Sequence, residues 1–343
     1  MANDLREVAR LSGVSVSTAS RALAGSTLVN AATRLRVERV ASEMGYRPNA
    51  SARALRTSRS RLVGLVITNL VNNSFRVIAE IVQQRLSEAG HHLVLSITDG
   101  DPFQEREALH TLMELNASGV VAVGSDTKAF AEVSARGIAV VHLGRRPGKL
   151  VGDCVLGDES AGAATAVEHF LSRGHKRIGI VSGPATVTSG RERLQGYRRA
   201  LQTAGRPVDD AWTVAGPFTA QTGRDAVDAL LALPRSRRPT ALLVANHEST
   251  YGVLPRLREL GVDVPTEFSV ICYEDAPIMQ WWSPAITVVD NQPSQMAELV
   301  ARLLMERITG ATEATARPVL HRIPTRLVDR GSVGPVPARA PGR

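Results

Sequence analysis

Cysteine is nearly absent: only Cys154 and Cys272 occur, far apart and inside apolar runs. That excludes a disulfide framework and a cysteine-based metal centre, and predicts two buried free thiols. No apolar run approaches the roughly 20 residues needed to span a bilayer, so no membrane partner is expected. The amino terminus lacks the apolar core of a secretion signal, because Asp4, Arg6, Glu7 and Arg10 interrupt it; a cytoplasmic protein is expected. No phosphate-cradling glycine loop, nucleophile elbow or zinc-binding helix motif is present. The expectation is therefore a non-enzyme with no catalytic residues, no metal ligands and no cofactor. Lysine is scarce beside arginine, a bias that explains which basic residue is used but not where acids are missing.

What is present is a basic head on a near-neutral body. The 343 residues are 43% apolar and 22% charged, ordinary for a globular chain of one to three domains. Residues 1–60 hold ten arginines against Asp4, Glu7, Glu38 and Glu43, so +6 of the formal +8 lies there. Such a concentration implies a polyanionic partner for the head.

The head reads as three short helices. Leu5, Val8 and Ala9 fall at helical spacing in Asp4–Ser12, and Gly13 supplies the left-handed turn that ends this helix. Ser15 is placed to cap the next helix, Val16–Leu23, with Ala19 and Leu23 inward and Val16, Ser17 and Arg21 outward. Small residues at Ala9 and Ala19 allow the close crossing of a helix-turn-helix. Asn30 caps a third helix, Ala31–Met44, whose apolar positions are Leu35, Val37, Val40 and Met44. Pro48 and Asn49 then set the start of Ala50–Arg56, a basic segment too short to be a stable helix alone.

Leu5–Arg21, Val29-Asn30, Thr33, Gly45-Tyr46-Arg47-Pro48-Asn49-Ala50 and Ala52-Arg53-Ala54-Leu55-Arg56 together resemble the LacI/GalR transcription regulators. The likeness runs through the body to Ile323-Pro324-Thr325-Arg326-Leu327. It implies that Val16, Ser17 and Arg21 meet base edges in a major groove, where an arginine forks onto guanine. Ser15, Thr18, Ser20, Asn30 and Thr33 would position phosphates, Ser15 and Asn30 doubling as caps. Asn49, Ala52, Arg53, Leu55 and Arg56 would form a hinge helix, with Leu55 wedged into the minor groove.

From Arg61 apolar strand-like runs alternate with amphipathic stretches. The strands are 62–68, 93–97, 120–123, 138–143, 178–182, 241–244 and 269–273. The helices are 75–89, 104–116, 128–135, 160–172, 190–204, 221–231 and 249–260. This alternation predicts parallel sheets covered on both faces, in two lobes. The fold class expected is an all-α helix-turn-helix head plus an α/β body, a two-lobed body like the periplasmic binding proteins. Chain crossings between lobes are expected near 157–162, 290–293 and 324. The domains read as 1–47 (head), 48–60 (hinge and linker), 61–330 (ligand-binding and dimerisation body) and 331–343 (flexible tail).

Loops at the carboxyl ends of strands supply the cleft candidates. By resemblance these are Phe75, Ser125, Asp158, Ser189, Arg193, Phe218, Asn246, His247 and Glu274. Asn73 and Ser74 depart from the family pattern, His247 stands where an acid is usual, and Glu274 replaces the common aspartate. Arg193 and Glu274 bracketing hydroxyls, with Phe75 and Phe218 over an apolar face, suit a sugar or polyol. The chain is thus expected to be a homodimeric DNA-binding regulator of the repressing kind, with operator DNA and a small effector as partners. The alternative, a solute-binding protein of sugar transport, predicts a secretion signal and no helix-turn-helix. A sugar-modifying enzyme would need a phosphate cradle and a base in one cleft.

Overall fold

The computed structural model describes residues 4–23, 26–46, 60–124, 126–312 and 316–336. The chain divides into two compact units, residues 1–61 and 62–343. The first contains α1 (Leu5–Leu11), α2 (Val16–Leu23) and α3 (Ala31–Glu43). Asp4 caps α1, Gly13 takes φ +64° in the turn, and Asn30 Oδ1 accepts from the Thr33 amide at 2.8 Å to start α3. Val8, Ala9, Ala19, Ala22, Val37, Val40 and Ala41 close a small core. Leu35 departs from the expected inward face and is 66% exposed. It lies two residues before Val37, roughly 200° around the helix, while Val37, Val40, Ala41 and Met44 keep the 3–4 spacing.

The second unit is two α/β lobes. The first lobe holds β1 (Leu62–Ile67), α4 (Asn73–Glu88), β2 (His92–Ile97), α5 (Pro102–Glu114), β3 (Gly119–Ala122), α6 (Thr127–Ala135), β4 (Ala139–Leu143) and β5 (Asp153–Gly157). The second holds α7 (Glu159–Ser172), β6 (Ile178–Ser182), α8 (Thr188–Thr203), β7 (Thr213–Ala215), α9 (Ala220–Ala232), β8 (Ala241–Val244), α10 (His247–Glu259), β9 (Ser269–Tyr273), α11 (Pro277–Trp281) and β10 (Thr287–Asp290). Then α12 (Pro293–Thr309) packs on α4 in the first lobe, β11 (Leu320–Ile323) joins the first sheet, and β12 (Arg326–Val328) joins the second. The sheet orders are β11-β5-β4-β3-β1-β2 and β12-β10-β9-β8-β6-β7. All pairings are parallel except β10 with β12. The chain therefore passes between lobes three times, after β5, after β10 and between β11 and β12.

Side-chain alternation explains the layers. In β1, Val63, Leu65 and Ile67 face the core under α4 and α12, while Val66 faces the core under α5 and α6. In β8, Ala241 and Leu243 face one side and Leu242 and Val244 the other. Strands buried on both faces read as unbroken apolar runs, as in these. Both cysteines are buried and free. Burial pushes the Cys154 thiol up to about 12, so it stays protonated.

Residues 331–336 differ from the expected loose tail. Val270 N donates to Ser332 O at 3.0 Å, and the Ser332 hydroxyl accepts from Thr287 N at 2.8 Å and donates to Val270 O at 2.6 Å. Gly334 O sits 3.1 Å from His175 Nε2. Two backbone-to-hydroxyl anchors near the starts of β9 and β10 hold the segment without any apolar run. Residues 337–343 lie outside the described part. Trp282 packs against the second lobe's core, and Trp281 is 77% exposed.

Candidate functional site

In the head, Val16, Ser17, Ser20 and Arg21 line one surface hollow of about 630 Å³, together with Leu5, Ser26 and Leu28. They share it because residues 16, 17, 20 and 21 repeat at 3–4 spacing on α2, whose opposite face carries the buried Ala19 and Ala22. Val16 is 44% exposed, and Arg21 is exposed with no ion-pair partner among the described residues. Ser15 Oγ accepts from the Thr18 amide at 3.1 Å and lies 2.9 Å from Ser17 Oγ and 2.8 Å from Thr18 Oγ1. Ser15 and Asn30 are thus engaged as helix caps, and Thr33 supplies the amide that Asn30 accepts. Asn49, Ala52, Arg53, Leu55 and Arg56 lie outside the described residues.

In the body, a cavity of about 590 Å³ opens between the lobes. Phe75, Ser189, Arg193, Phe218, Asn246 and Glu274 line it. Phe75 leans on the first lobe's core from the start of α4. The Phe218 ring covers Gly183, where a Cβ would sit 2.1 Å from the ring, so only glycine leaves room there. Asn246 caps α10 through Oδ1, while its buried Nδ2 has no acceptor among the described residues. A buried donor left without a partner costs about 1–3 kcal/mol, and a ligand hydroxyl would offset that. Ser125 lies outside the described residues.

Two expected residues do not line the cavity. Asp158 caps α7, its Oδ1 accepting from Ala161 N at 3.3 Å. The next acid, Glu159, enters the cavity instead and pairs with Arg193 at 2.6 Å. The first acid of an Asp-Glu pair at a helix start serves the backbone, which frees the second; that signal is present in the sequence. His247 is fully buried behind the wall and contacts Glu274 through Nδ1. Its Nε2 lies 3.1 Å from the Val71 carbonyl of the first lobe.

These groups form one charge chain, Glu159–Arg193–Glu274–His247. Arg193 is 3% exposed, its guanidinium 4.0 Å above the Tyr273 ring. Its Nη1 donates to the Ala245 carbonyl and its Nη2 lies 3.7 Å from Glu274 Oε1. Burial works against the Arg193 charge, but Glu159 and then Glu274 outweigh it and hold its pKa above the ordinary value. Burial alone would raise Glu274; the His247 ring and Arg193 reverse this and lower it. The Glu274 backbone takes φ +70°, a conformation costly for a residue with a Cβ, which aims its carboxylate into the chain of charges.

Further contacts join the lobes here. Arg146 N donates to Thr188 Oγ1 at 3.0 Å, Ser74 Oγ to Asn291 Oδ1 at 3.3 Å, and Asn69 Nδ2 to Glu248 Oε1 at 3.5 Å. Arg145, Arg146, Glu159, Glu248 and Asn291 all line the cavity without having been singled out in the sequence. Apart from Glu159, sequence spacing does not show them, because loops of different lobes meet only in the fold.

Both ring nitrogens of His247 face acceptors, and only the imidazolium has two N–H donors. Burial lowers its pKa, but the Glu274 carboxylate more than reverses this, so the net shift is upward. A raised pKa means the contribution is whole below about 6.5, the unfolded value, and is lost as pH rises through the folded value. The melting temperature should therefore fall more between pH 6 and pH 9 in the natural protein than in His247→Gln. Parallel pH profiles for the two would remove the charged imidazole from the account.

A two-lobed body with three crossings, joined in one chain to a helix-turn-helix, defines a ligand-responsive DNA-binding regulator. Residues 4–49 match the family model "Bacterial regulatory proteins, lacI family", and residues 167–333 match a periplasmic-binding-protein-like domain. The ribose operon repressor of Escherichia coli K12 is 31% identical over 331 residues, covering 96% of this chain and 99% of that protein. The PurR repressor of Photobacterium profundum is 28% identical, covering 89% and 91%. A solved complex of the transcriptional regulator CelR with cellobiose is 31% identical, with TM-score 0.72 over 96% of this chain and 99% of that one. The lac repressor dimer bound to operator superposes at TM-score 0.83 with 24% identity over 96% and 99%, a likeness of fold.

The chain belongs to the lacI family of bacterial regulatory proteins. It is a DNA-binding transcription regulator and not an enzyme. Among the described residues no helix is long and apolar enough to cross a membrane.

Proposed function

We propose that this regulator is a cytoplasmic repressor whose hold on its operator is set by a sugar or polyol in the cavity between its lobes. One observation carries the effector reading. A cavity of about 590 Å³ gathers two aromatic rings, Phe75 and Phe218, with the unmatched Asn246 donor and the Arg193–Glu274 pair. Rings cover the apolar face of a sugar, and a few fixed polar groups orient its hydroxyls. Ser189 at the start of α8 adds a hydroxyl. His247 from behind the wall and Glu159 within it hold Glu274 and Arg193 in place. The sugar ligand of CelR and the ribose operon named for the 31% relative support this class.

In the head, Val16, Ser17 and Arg21 are assigned to base edges, and Ser20, Thr18, Ser15, Asn30 and Thr33 to the phosphate backbone. Residues 48–60, with Asn49, Ala52, Arg53, Leu55 and Arg56, are assigned to a hinge that inserts Leu55 in the minor groove. We infer a homodimer through the face of the first lobe made by α4 and β2. Its support is that β2 is an edge strand carrying the exposed Leu95 and Ile97, a liability unless covered.

The test is selection of duplexes from a random pool by the full chain, followed by titration of the selected duplex with sugars and polyols. Selection of a near-palindrome, released or tightened by a sugar, is the expected result. In the same assay Arg21→Ala should relax preference at one position per half-site by about 1–3 kcal/mol. Unchanged preference would remove Arg21 from base reading.

A further inference from the structure

The cavity is unevenly charged. Its second-lobe end is internally engaged, since Arg193 pairs with Glu159 and faces Glu274, which in turn holds His247, while Glu248 accepts from Asn69 Nδ2. Its first-lobe end is not. Arg145 and Arg146 follow β4 and line the same cavity. Arg145 is half-buried, its guanidinium beside Gly100, and makes no side-chain hydrogen bond or ion pair among the described residues. Burial pushes its pKa below the ordinary arginine value, with only a partial offset from Glu105. A guanidinium stays charged at any working pH, so this site holds a partly desolvated cation with no carboxylate at ion-pair distance among the described residues. The neighbouring wall also carries Asp99, next to Gly100, which forms no ion pair with either arginine among the described residues. Arg146 N contacts Thr188 at 3.0 Å, and α8 begins there with Val187 at its cap position, so no side chain caps that helix.

We propose that the effector is an anionic sugar, carrying a phosphate or a carboxylate that docks on Arg145 and Arg146. This rests on the assignment of the cavity as the effector site. The sugar ring would lie toward Phe218 and Asn246, and its charged group toward the first lobe. Because Arg145 belongs to one lobe and the start of α8 to the other, an anion there touches both and favours their approach. A neutral sugar fills only the engaged half of the cavity and leaves Arg145 without an anion at ion-pair distance.

The test is calorimetric titration of the full chain with ribose and ribose 5-phosphate, glucose, glucose 6-phosphate and gluconate, and inorganic phosphate. At least one anionic sugar should bind about tenfold or more tighter than its neutral parent, the scale of one charge-assisted hydrogen bond. The phosphate and gluconate arms distinguish the two kinds of anion. Arg145→Gln should abolish that preference while keeping weak binding of the neutral sugar. Neutral sugars binding as tightly as their anionic forms would overturn the proposal alone. Equal loss of neutral and anionic binding in Arg145→Gln would also overturn it. Silence of the natural protein toward every probe would overturn it together with the sugar-class effector reading.

Discussion

Arg193→Ala should unfold at a melting temperature lower by on the order of 10 °C, a loss of about 3–5 kcal/mol. The reason is what remains behind. Glu159 and Glu274 are both buried, and each faces Arg193. Truncating the guanidinium leaves two carboxylates in low dielectric with only His247 to answer them. It also strands the Ala245 carbonyl and exposes the Tyr273 face. A companion variant separates charge from packing. Arg193→Met combined with Glu159→Gln and Glu274→Gln removes the charges together and should recover most of the stability. If the triple variant melts as low as Arg193→Ala, lost packing and not unpaired charge is the cause. Neither variant should bind the effector, since both empty the polar end of the cavity.

Gly252→Ala should cost about 3 kcal/mol, at the upper end for overpacking, and should disturb ligand binding as well. α9 and α10 cross through reciprocal glycines. A Cβ on Gly252 would lie 1.7 Å from the Ala220 carbonyl oxygen, and one on Gly223 would lie 1.9 Å from that of Ser249. Both obstacles are backbone, so the helices must separate. Alanine's better helix propensity, worth about 1 kcal/mol, cannot match that. Asn246 and His247 open α10, so its displacement shifts the cavity wall and the charge chain behind it. Chemical denaturation and sugar titration of the same variant would check both effects. A Gly252→Ala protein as stable as the natural one would show that the helices have slack the close approach denies.

Legibility in the sequence followed physical environment. β1, β3, β6, β8 and β9 are buried on both faces, and their unbroken apolar runs announce them. The strands that sequence reading omits carry polar residues for structural reasons. β5 starts with Asp153, which is buried because Arg307 pairs with it at 2.7 Å. β7, β11 and β12 are edge strands with partly exposed side chains, so no apolar run is required of them. α12 does carry Met296, Val300 and Leu304 at helical spacing, a signal that was present. What its local pattern does not contain is the lobe it joins, because that follows from where Gln292 turns the chain at φ +54°.

The binding residues divide the same way. Caps such as Ser15 and Asn30 are local, set by hydrogen bonds two or three residues away, and a sequence states them; Asp158 is equally local, yet the resemblance assigns it to the cleft. Arg21 on the outer face of α2 is fixed by helical period, whereas Phe75 and Phe218 are legible only through resemblance to the family. The amino-acid order thus determines a basic three-helix head, doubly covered parallel sheets and a family of regulators. Why His247 withdraws behind Glu274, and that Arg145 has no carboxylate at ion-pair distance among the described residues, are decided by tertiary structure alone. Charges interact through space and solvent exclusion, and neither is encoded at fixed separation along the chain.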